Sequence, residues 1–301
     1  MKKGTKTSRF GTSRRISHDS SEYYNSRMYS ELGKDGKDAA RDNPFPIELE
    51  NKIILGSSES MKEIPDNSLH LMVTSPPYNA SKEYDRDLSL DEYLGFLKRV
   101  FTETYRVLAH GGRACVNVAN LGRKPYIPLS DHISRMMIEI GFKMRGEIIW
   151  LKDAGAGVSM AWGSWRSASN PVLRDTHEYI LVFSKGAFER DKRNRESAIA
   201  KEDFMEWTKS VWRMNPESAR KTKHPAPFPV ELPSRLIQLY TFKGDIVLDP
   251  FMGSGSTALA ALKSERKYVG YEVDPQYVKL AEERIASFKT LATDFTDSHG
   301  V

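Results

Sequence analysis

Between about residue 50 and residue 288, short continuous apolar runs alternate with longer stretches whose apolar positions recur at helical spacing. Lys52-Ile53-Ile54-Leu55-Gly56 reads as a short opening strand and His70-Leu71-Met72-Val73 as a buried one. Leu90, Leu94, Leu97, Phe101, Val107 and Leu108 trace one helical face, opened by the capping-box pair Ser89 and Glu92 and stopped at Gly111-Gly112. A strand over 113–119 follows, then a helix from Ser130 to Ile140 with Ile133, Met136, Met137 and Ile140 on one side and Gly141 closing it. Strands are predicted at 147–151 and 179–183, an apolar helix at 232–242, a strand at 245–249, a helix through 258–262, a strand at 267–273 and a last helix at 275–288. This alternation predicts an α/β fold built on a doubly wound, mostly parallel sheet with helices on both faces.

The pattern lapses in three places. Residues 1–46 are polar and basic without a sustained period and read as an arm, in which Arg14 and Arg15 are candidate phosphate contacts. Ala154 to Asn170 is a Gly- and Ser-rich loop carrying Trp162, Trp165 and Arg166, and a loop of that length inside a compact domain is usually functional or mobile. Residues 185–223 turn basic and weakly periodic, with Trp207, Trp212, Arg193 and Arg195, and read as an insert. Residues 289–301 look like a frayed tail. The net charge of +5 concentrates in the arm and the insert, where it suggests phosphate contacts, while the usual meaning of so modest an excess is a solvated surface. No run approaches a membrane span and the polar N-terminus lacks a secretory pattern, so a cytoplasmic location with no membrane partner is expected. The single cysteine, Cys115, lies within an apolar run and reads as a buried strand residue, which excludes an internal disulfide and argues against a metal site.

Two loops carry candidate chemistry. After the strand at 70–73 comes Thr74-Ser75-Pro76-Pro77-Tyr78-Asn79. The prolines fix their own φ, push the preceding residues toward extended geometry and offer no N–H, so carbonyl oxygens and the Ser75 hydroxyl remain as acceptors for a donor such as an exocyclic amino group. Tyr78 supplies a flat face on which a base can stack. The second loop, Asp249-Pro250-Phe251-Met252-Gly253-Ser254-Gly255-Ser256-Thr257, joins a strand to a helix, the place where open α/β sheets bind ligands. Gly253 and Gly255 permit a tight turn, and Glu272 ends the next strand seventeen residues after Gly255, positioned to accept from ribose hydroxyls. No lysine or arginine stands within 251–257 and the Gly-Lys-Ser/Thr ending of a phosphate loop is missing, so a sulfonium nucleoside fits better than ATP.

Together the two loops resemble the DNA amino-methyltransferases, in the circularly permuted order where the catalytic motif precedes the cofactor motif, over roughly residues 50 to 288. The resemblance implies a Rossmann-like methyltransferase fold with S-adenosyl-L-methionine as cofactor. The implied catalytic residues are Ser75, Pro76, Pro77 and Tyr78; the cofactor set is Asp249, Pro250, Phe251, Gly253, Gly255, Ser256, Thr257 and Glu272, completed by the stretch from His224 to Pro229. Double-stranded DNA is the implied partner, a companion restriction endonuclease follows from family habit, and the protein is expected as a monomer or homodimer. Similar enzymes often carry an acidic residue after the glycine at Gly56; this chain has Ser57.

In similar enzymes serine before Pro-Pro-Tyr mostly goes with cytosine and aspartate with adenine, so the resemblance implies the amino nitrogen N4 of a flipped cytosine as target, with adenine N6 as the alternative and a non-catalytic DNA-binding protein as the remote one. Methylation at cytosine carbon five requires a cysteine nucleophile, and Cys115 has neither a preceding proline nor a loop setting. The expected organisation is an arm at 1–46, a catalytic half at 47–184, a target-recognition insert at 185–223, a cofactor half at 224–288 and a tail at 289–301.

Overall fold

The computed structural model describes residues 24–30, 42–77, 88–122, 124–152, 163–192, 194–217 and 228–298, with side chains through 290. It divides into two compact units, residues 1–38 and 39–301. Within the first, the described part is one helical turn, Arg27–Ser30, beside the edge-on ring pair of Tyr24 and Tyr29.

The second unit is built on one sheet of eight strands: β1 (Lys52–Leu55), β2 (Leu69–Thr74), β3 (Leu108–Val118), β6 (Phe142–Lys152), β7 (His177–Lys185), β8 (Val211–Met214), β9 (Ile246–Asp249) and β10 (Lys267–Glu272). Their order across the sheet is β1-β10-β9-β2-β3-β7-β6-β8. A small antiparallel pair, β4 (Leu121–Gly122) and β5 (Tyr126–Ile127), lies outside it. β1, β10, β9, β2 and β3 pair in parallel. β7 runs against both β3 and β6, and β8 runs with β6. The carboxyl ends of seven strands and the amino end of β7 therefore share one edge.

The period of two along the strands splits the core into two layers. Met72, Ala114, Val116, Leu181, Phe183 and Leu248 pack with α1 (Leu90–Val107) and α2 (Leu129–Ile140). Their strand neighbours Leu71, Val73, Cys115, Ile180, Val182 and Val247 pack on the other face with α4 (Glu231–Tyr240), α5 (Ser256–Lys263) and α6 (Pro275–Ser298). Such two-sided burial is what a mostly parallel sheet requires. α3 (Lys201–Trp207) is the remaining α-helix of this unit among the described residues, and a 3-10 turn, Ile47–Leu49, precedes β1. The capping box of Ser89 and Glu92 opens α1, and Gly141, at φ 116°, closes α2 in a conformation that favours glycine.

Several boundaries differ from expectation. Helix α1 ends at Val107, and Leu108 already belongs to β3: its backbone is extended, at φ −72° and ψ 135°, and Leu108 and Ala109 are fully buried. Residues 185–223 are not a separate insert throughout: Val211–Met214 alternate exposed and buried and join the main sheet, with Trp212 in the core. Helix α6 continues to Ser298, since no proline or glycine interrupts the chain between Pro275 and Gly300. Residues 42–46 belong with the folded unit rather than the arm: Asn43 donates to Asp66 O at 2.7 Å and Phe45 packs on the core.

Candidate active site

The shared edge gathers the loop after β1, the Ser75 loop after β2, the glycine loop after β9 and Glu272 at the end of β10 around one cavity of about 740 Å³. Its walls include Gly56, Ser57, Ser58 and Glu59, then Ser75, Pro76 and Pro77, then Pro250, Phe251, Gly253 and Glu272, with Asp91, Tyr93, Phe96 and Arg99 of α1 across from them. Local bonds hold these walls. Arg106 donates to Ile64 O, Asp66 and Met61 O at 3.0, 2.6 and 2.8 Å, and Glu103 accepts from Met61 N, which pins the loop from 56 to 68 against α1. Arg99 pairs with Glu59 at 2.5 Å, both lining the cavity, and the Phe96 and Phe251 rings stand 5.8 Å apart.

Glu272 faces the cavity with its carboxylate held by three backbone donors: Gly253 N at 2.8 Å, Val273 N at 2.9 Å and Asp274 N at 3.0 Å. Burial raises its pKa, against those same N–H bonds. Gly255, at φ 81°, caps α5; a Cβ there would lie 2.9 Å from Ala281 Cβ, so this glycine serves the close approach of α5 to α6. Arg284 of α6 donates to Ser254 Oγ at 2.8 Å and steadies the loop.

Asp249 does not line the cavity. It is fully buried, accepting from Thr74 Oγ1 and Thr257 Oγ1, each at 2.6 Å, and from Phe251 N at 3.1 Å. One carboxylate thus ties the end of the catalytic strand to the first turn of α5. Burial pushes its pKa up to about 6, outweighing the Thr257, Thr74 and Phe251 bonds, and the neighbouring Glu272 charge adds to the rise. Ser256 and Thr257 are buried too, and Ser256 Oγ finds no hydrogen-bond partner among the described residues.

At the other wall, Tyr93 Oη donates to Pro77 O at 2.7 Å and fixes the proline loop. Asn117, at the end of β3, brings Nδ2 to 3.5 Å from Ser75 Oγ and 2.6 Å from Glu178 Oε2, while Lys152 Nζ sits 2.5 Å from Glu178 Oε1. Tyr78, Trp162, Arg193, Arg14 and Arg15, with 224–227 of the expected pocket, lie outside the described residues. Phe228 packs on the second core layer. Trp165 and Arg166 are exposed on a loop closed by a Gly163–Pro171 bridge, between the carboxyl end of β6 and the amino end of β7 and so on the cavity's edge of the sheet. Arg195 is on the opposite edge: it pairs with Asp42 at 2.6 Å, which stands 3.5 Å from His70 near the start of β2.

Glu59, Tyr93, Phe96, Arg99, Asn117, Glu178 and Lys152 were not singled out from the sequence. The signal for Asn117 and Glu178 was a polar residue within an otherwise apolar strand, at the strand end nearest the loops.

The donor set suits a nucleoside sulfonium. Carboxylates of Glu59, Asp91, Glu92, Glu272 and Asp274 line the cavity against the one cation Arg99 among its described lining residues. That balance is wrong for a polyphosphate and right for a cationic ligand.

A mostly parallel α/β sheet with such a cavity resembles the solved structures of S-adenosylmethionine-dependent methyltransferases. The chain belongs to the DNA methylase family of N6/N4 methyltransferases, whose model matches residues 69–283. It is 31% identical over 294 residues to the Type II methyltransferase M.MjaI of Methanocaldococcus jannaschii, covering 83% of this chain and 96% of that protein. The DNA modification methylase TTHA0409 of Thermus thermophilus, solved with S-adenosyl-L-methionine, superposes with a TM-score of 0.65 at 30% identity, over 78% of this chain and 93% of that one. The PvuII DNA methyltransferase, which is cytosine-N4-specific, shares the fold at a TM-score of 0.62 and 22% identity, over 77% of this chain and 84% of that one. The cofactor is S-adenosyl-L-methionine. Among the described residues no helix is long and apolar enough to cross a membrane, and no His, Cys, Asp or Glu group is arranged to hold a metal ion.

Proposed function

We propose that this DNA methylase transfers the methyl group of S-adenosylmethionine to the exocyclic amino nitrogen N4 of a cytosine flipped from the duplex, within a Type II restriction-modification system. The observation that carries this reading is that Ser75, Pro76 and Pro77 line the same cavity as Phe251, Gly253 and Glu272. Bound there, the cofactor supplies an electrophilic methyl group on a sulfonium. Glu272 would accept from its ribose hydroxyls, and Phe251 and Phe96 would give apolar walls. An exocyclic amino nitrogen is a poor nucleophile because its lone pair is delocalised into the ring. Ser75 Oγ and the Pro76 carbonyl each accept one N–H bond from it, which favours the pyramidal, nucleophilic geometry. The Pro77 carbonyl is already bonded by Tyr93 and serves to hold the loop. Tyr78 stacks on the extruded base.

Cysteine chemistry at carbon five is disfavoured on physical grounds, since Cys115 is fully buried in β3 and burial raises its pKa far above the thiol range. Trp165 and Arg166, on the cavity's edge, are assigned to the DNA, together with the arm residues Arg14 and Arg15 and with Trp162 and Arg193. The choice of cytosine over adenine rests on serine standing where adenine-specific relatives of this motif mostly have aspartate. The restriction context is supported by relatives such as M.MjaI, itself a Type II methyltransferase; a companion endonuclease and a monomeric or homodimeric state complete the proposal. Unmethylated plasmid DNA treated with enzyme and cofactor, digested to nucleosides and measured by mass spectrometry, is expected to yield N4-methyl-2′-deoxycytidine. N6-methyl-2′-deoxyadenosine as the sole product would overturn the cytosine assignment and leave the amino-transfer reading standing.

A further inference from the structure

We infer that Gly95 of α1 is a specificity-determining position of the cofactor site, bare of a side chain so that the nucleoside of S-adenosylmethionine can lie against the helix backbone there. Glycine is among the poorest residues for a helix interior, because it gives up the most backbone freedom on folding. The protein itself supplies no reason for one at this place. The backbone of Gly95 is helical and outside the left-handed region that favours glycine. Beyond its chain neighbours and the helix backbone, a Cβ built on it would meet only Arg99 Nη1, at 3.7 Å, an ordinary contact that asks neither group to move. The open side is the cavity, which Gly95 lines. A mid-helix glycine that no protein atom crowds, facing a ligand cavity, serves the close approach of the ligand.

The contacts of α1 indicate which part of the ligand comes close. Tyr93 donates to Pro77 O in the loop after β2, the Phe96 ring stands 5.8 Å from Phe251 in the loop after β9, and Arg99 pairs at 2.5 Å with Glu59 in the loop after β1. The sheet sets these strands in the order β2, β9, β10, β1, so α1 crosses the cavity from the proline loop to the far wall. At about 4.8 Å per strand, the loop after β1 lies about 14 Å across the sheet from the loop after β2. The inference rests on the proposed reading that the transferred methyl points toward Ser75 and that Glu272, after β10, meets the ribose. A nucleoside sulfonium carries its sulfur on C5′ and its base on C1′, so the base then extends past Glu272 toward Glu59. Gly95, with Arg99 Nη1 beside it, is on that side of Tyr93. A planar ring laid on a bare helix turn gains contact over its face, and a methyl at the same place would hold it off.

Gly95→Ala and Gly95→Leu test this, because each replaces glycine with a good helix former and each puts carbon into the cavity. Without cofactor, Gly95→Ala should melt about 1 to 3 °C above the wild-type protein. Calorimetry should nevertheless show S-adenosylmethionine binding about 10-fold weaker in Gly95→Ala, and weaker again in Gly95→Leu. 5′-Methylthioadenosine, which keeps the nucleoside and lacks the amino-acid portion, should lose the same factor in competition. Thr102→Ala, an exposed position of the same helix outside the cavity, should gain in melting temperature and keep the wild-type cofactor affinity. Unchanged cofactor affinity in both Gly95 variants, or weaker affinity together with a lower melting temperature in Gly95→Ala, would overturn the close-approach role. So would an equal loss of affinity in Thr102→Ala, which would trace the effect to stiffening of the helix. A loss for S-adenosylmethionine that 5′-methylthioadenosine does not share would put the contact at the methionine end and overturn the nucleoside assignment. Wild-type protein that binds neither ligand would instead remove the cofactor reading on which the inference stands.

Discussion

Two aspartates flank the same short strand, and the protein treats them in opposite ways. Asp245, just before β9 on the amino edge of the sheet, is almost fully buried; burial pushes its pKa up most strongly, yet the bond and charge of Arg190 and the Phe242 N–H together carry it below the ordinary value. Asp249, at the carboxyl end of β9, has hydroxyls and one N–H as partners, and among the described residues no cation reaches it. Burial therefore prevails and its pKa rises to about 6. The amino edge is closed by an ion cluster of Asp42, Arg190, Arg195 and Asp245, with the His70 ring, which accepts from Ile246 N, packed among them. At the carboxyl edge Asp249 and Glu272 are held by N–H and hydroxyl donors and, among the described residues, by no cation, beside a cavity lined mostly by carboxylates. Stability is concentrated at one end of the sheet and ligand chemistry at the other, which is how open α/β sheets divide the two.

The largest expected effect breaks the stable edge. Asp245→Ala leaves Arg190 buried without its main partner, which costs about 3 to 5 kcal/mol in comparable cases. Urea unfolding should show that loss, while calorimetry on the protein still folded gives the wild-type cofactor affinity. A change below about 1 kcal/mol would mean the cluster is ornamental.

The same kind of change at the other end should act with the opposite sign. A carboxyl raised from 3.8 to about 6 in the folded state makes the folded protein the better proton binder between those values, so its charge costs stability above pH 6 and that cost fades as pH falls toward 4. A rise of that size corresponds to a ceiling of about 3 kcal/mol. Asp249→Asn is expected to hold or raise stability at pH 8 by up to that amount, with wild type and variant converging near pH 4. Urea titrations at both pH values decide it; a variant less stable at pH 8 would show that the Thr74 and Thr257 bonds outweigh the buried charge.

Much of this contrast was legible before any coordinates, and the rest was not for definite reasons. Each strand of the sheet except β8 announced itself as an apolar run, and helices on both faces followed from the alternation of strands and helices along the chain. Strand β8 hid because four residues, Val211–Met214, with one arginine, are too short a period to stand out in a charged segment. The cofactor loop was visible as a motif, but motif membership does not say which residues touch a ligand. Asp249 and Thr257 are buried and bonded to each other, Ser256 is buried with no partner for its hydroxyl among the described residues, and Gly255 answers to Ala281 of α6. Glu59, Tyr93 and Arg99 escaped notice because their relation to the cavity depends on how α1 packs across it, a tertiary fact no local pattern contains. Arg195 looked like a DNA contact because sequence shows charge and not partners.

On the ligand edge, Glu272→Ala should weaken cofactor binding by about 1 to 3 kcal/mol, the worth of buried bonds to the ribose hydroxyls. The substitution also frees Gly253 N, Val273 N and Asp274 N, so the shorter Glu272→Asp is a useful companion. Calorimetric affinity unchanged in both variants would remove Glu272 from the site.

The smallest effect sets two arginines against each other across the sheet. Arg195 is already paired with Asp42, and the pair is partly exposed, with side-chain exposures of 35% and 22%. A pair of that kind contributes about 0 to 1 kcal/mol to folding and has no charge to spare for a phosphate. Arg166 stands exposed on the carboxyl edge next to Trp165, on the side where a flipped base would enter. Arg166→Ala should therefore weaken DNA binding uniformly across sequences if it meets a phosphate and reduce the slope of log affinity against log salt by about one. Arg195→Ala should leave both slope and affinity alone and trim stability slightly. Fluorescence anisotropy on a labelled duplex over a salt series reads both variants in one experiment. A slope change in Arg195→Ala together with none in Arg166→Ala would reverse the assignment of the two edges and move the DNA to the amino side of the sheet.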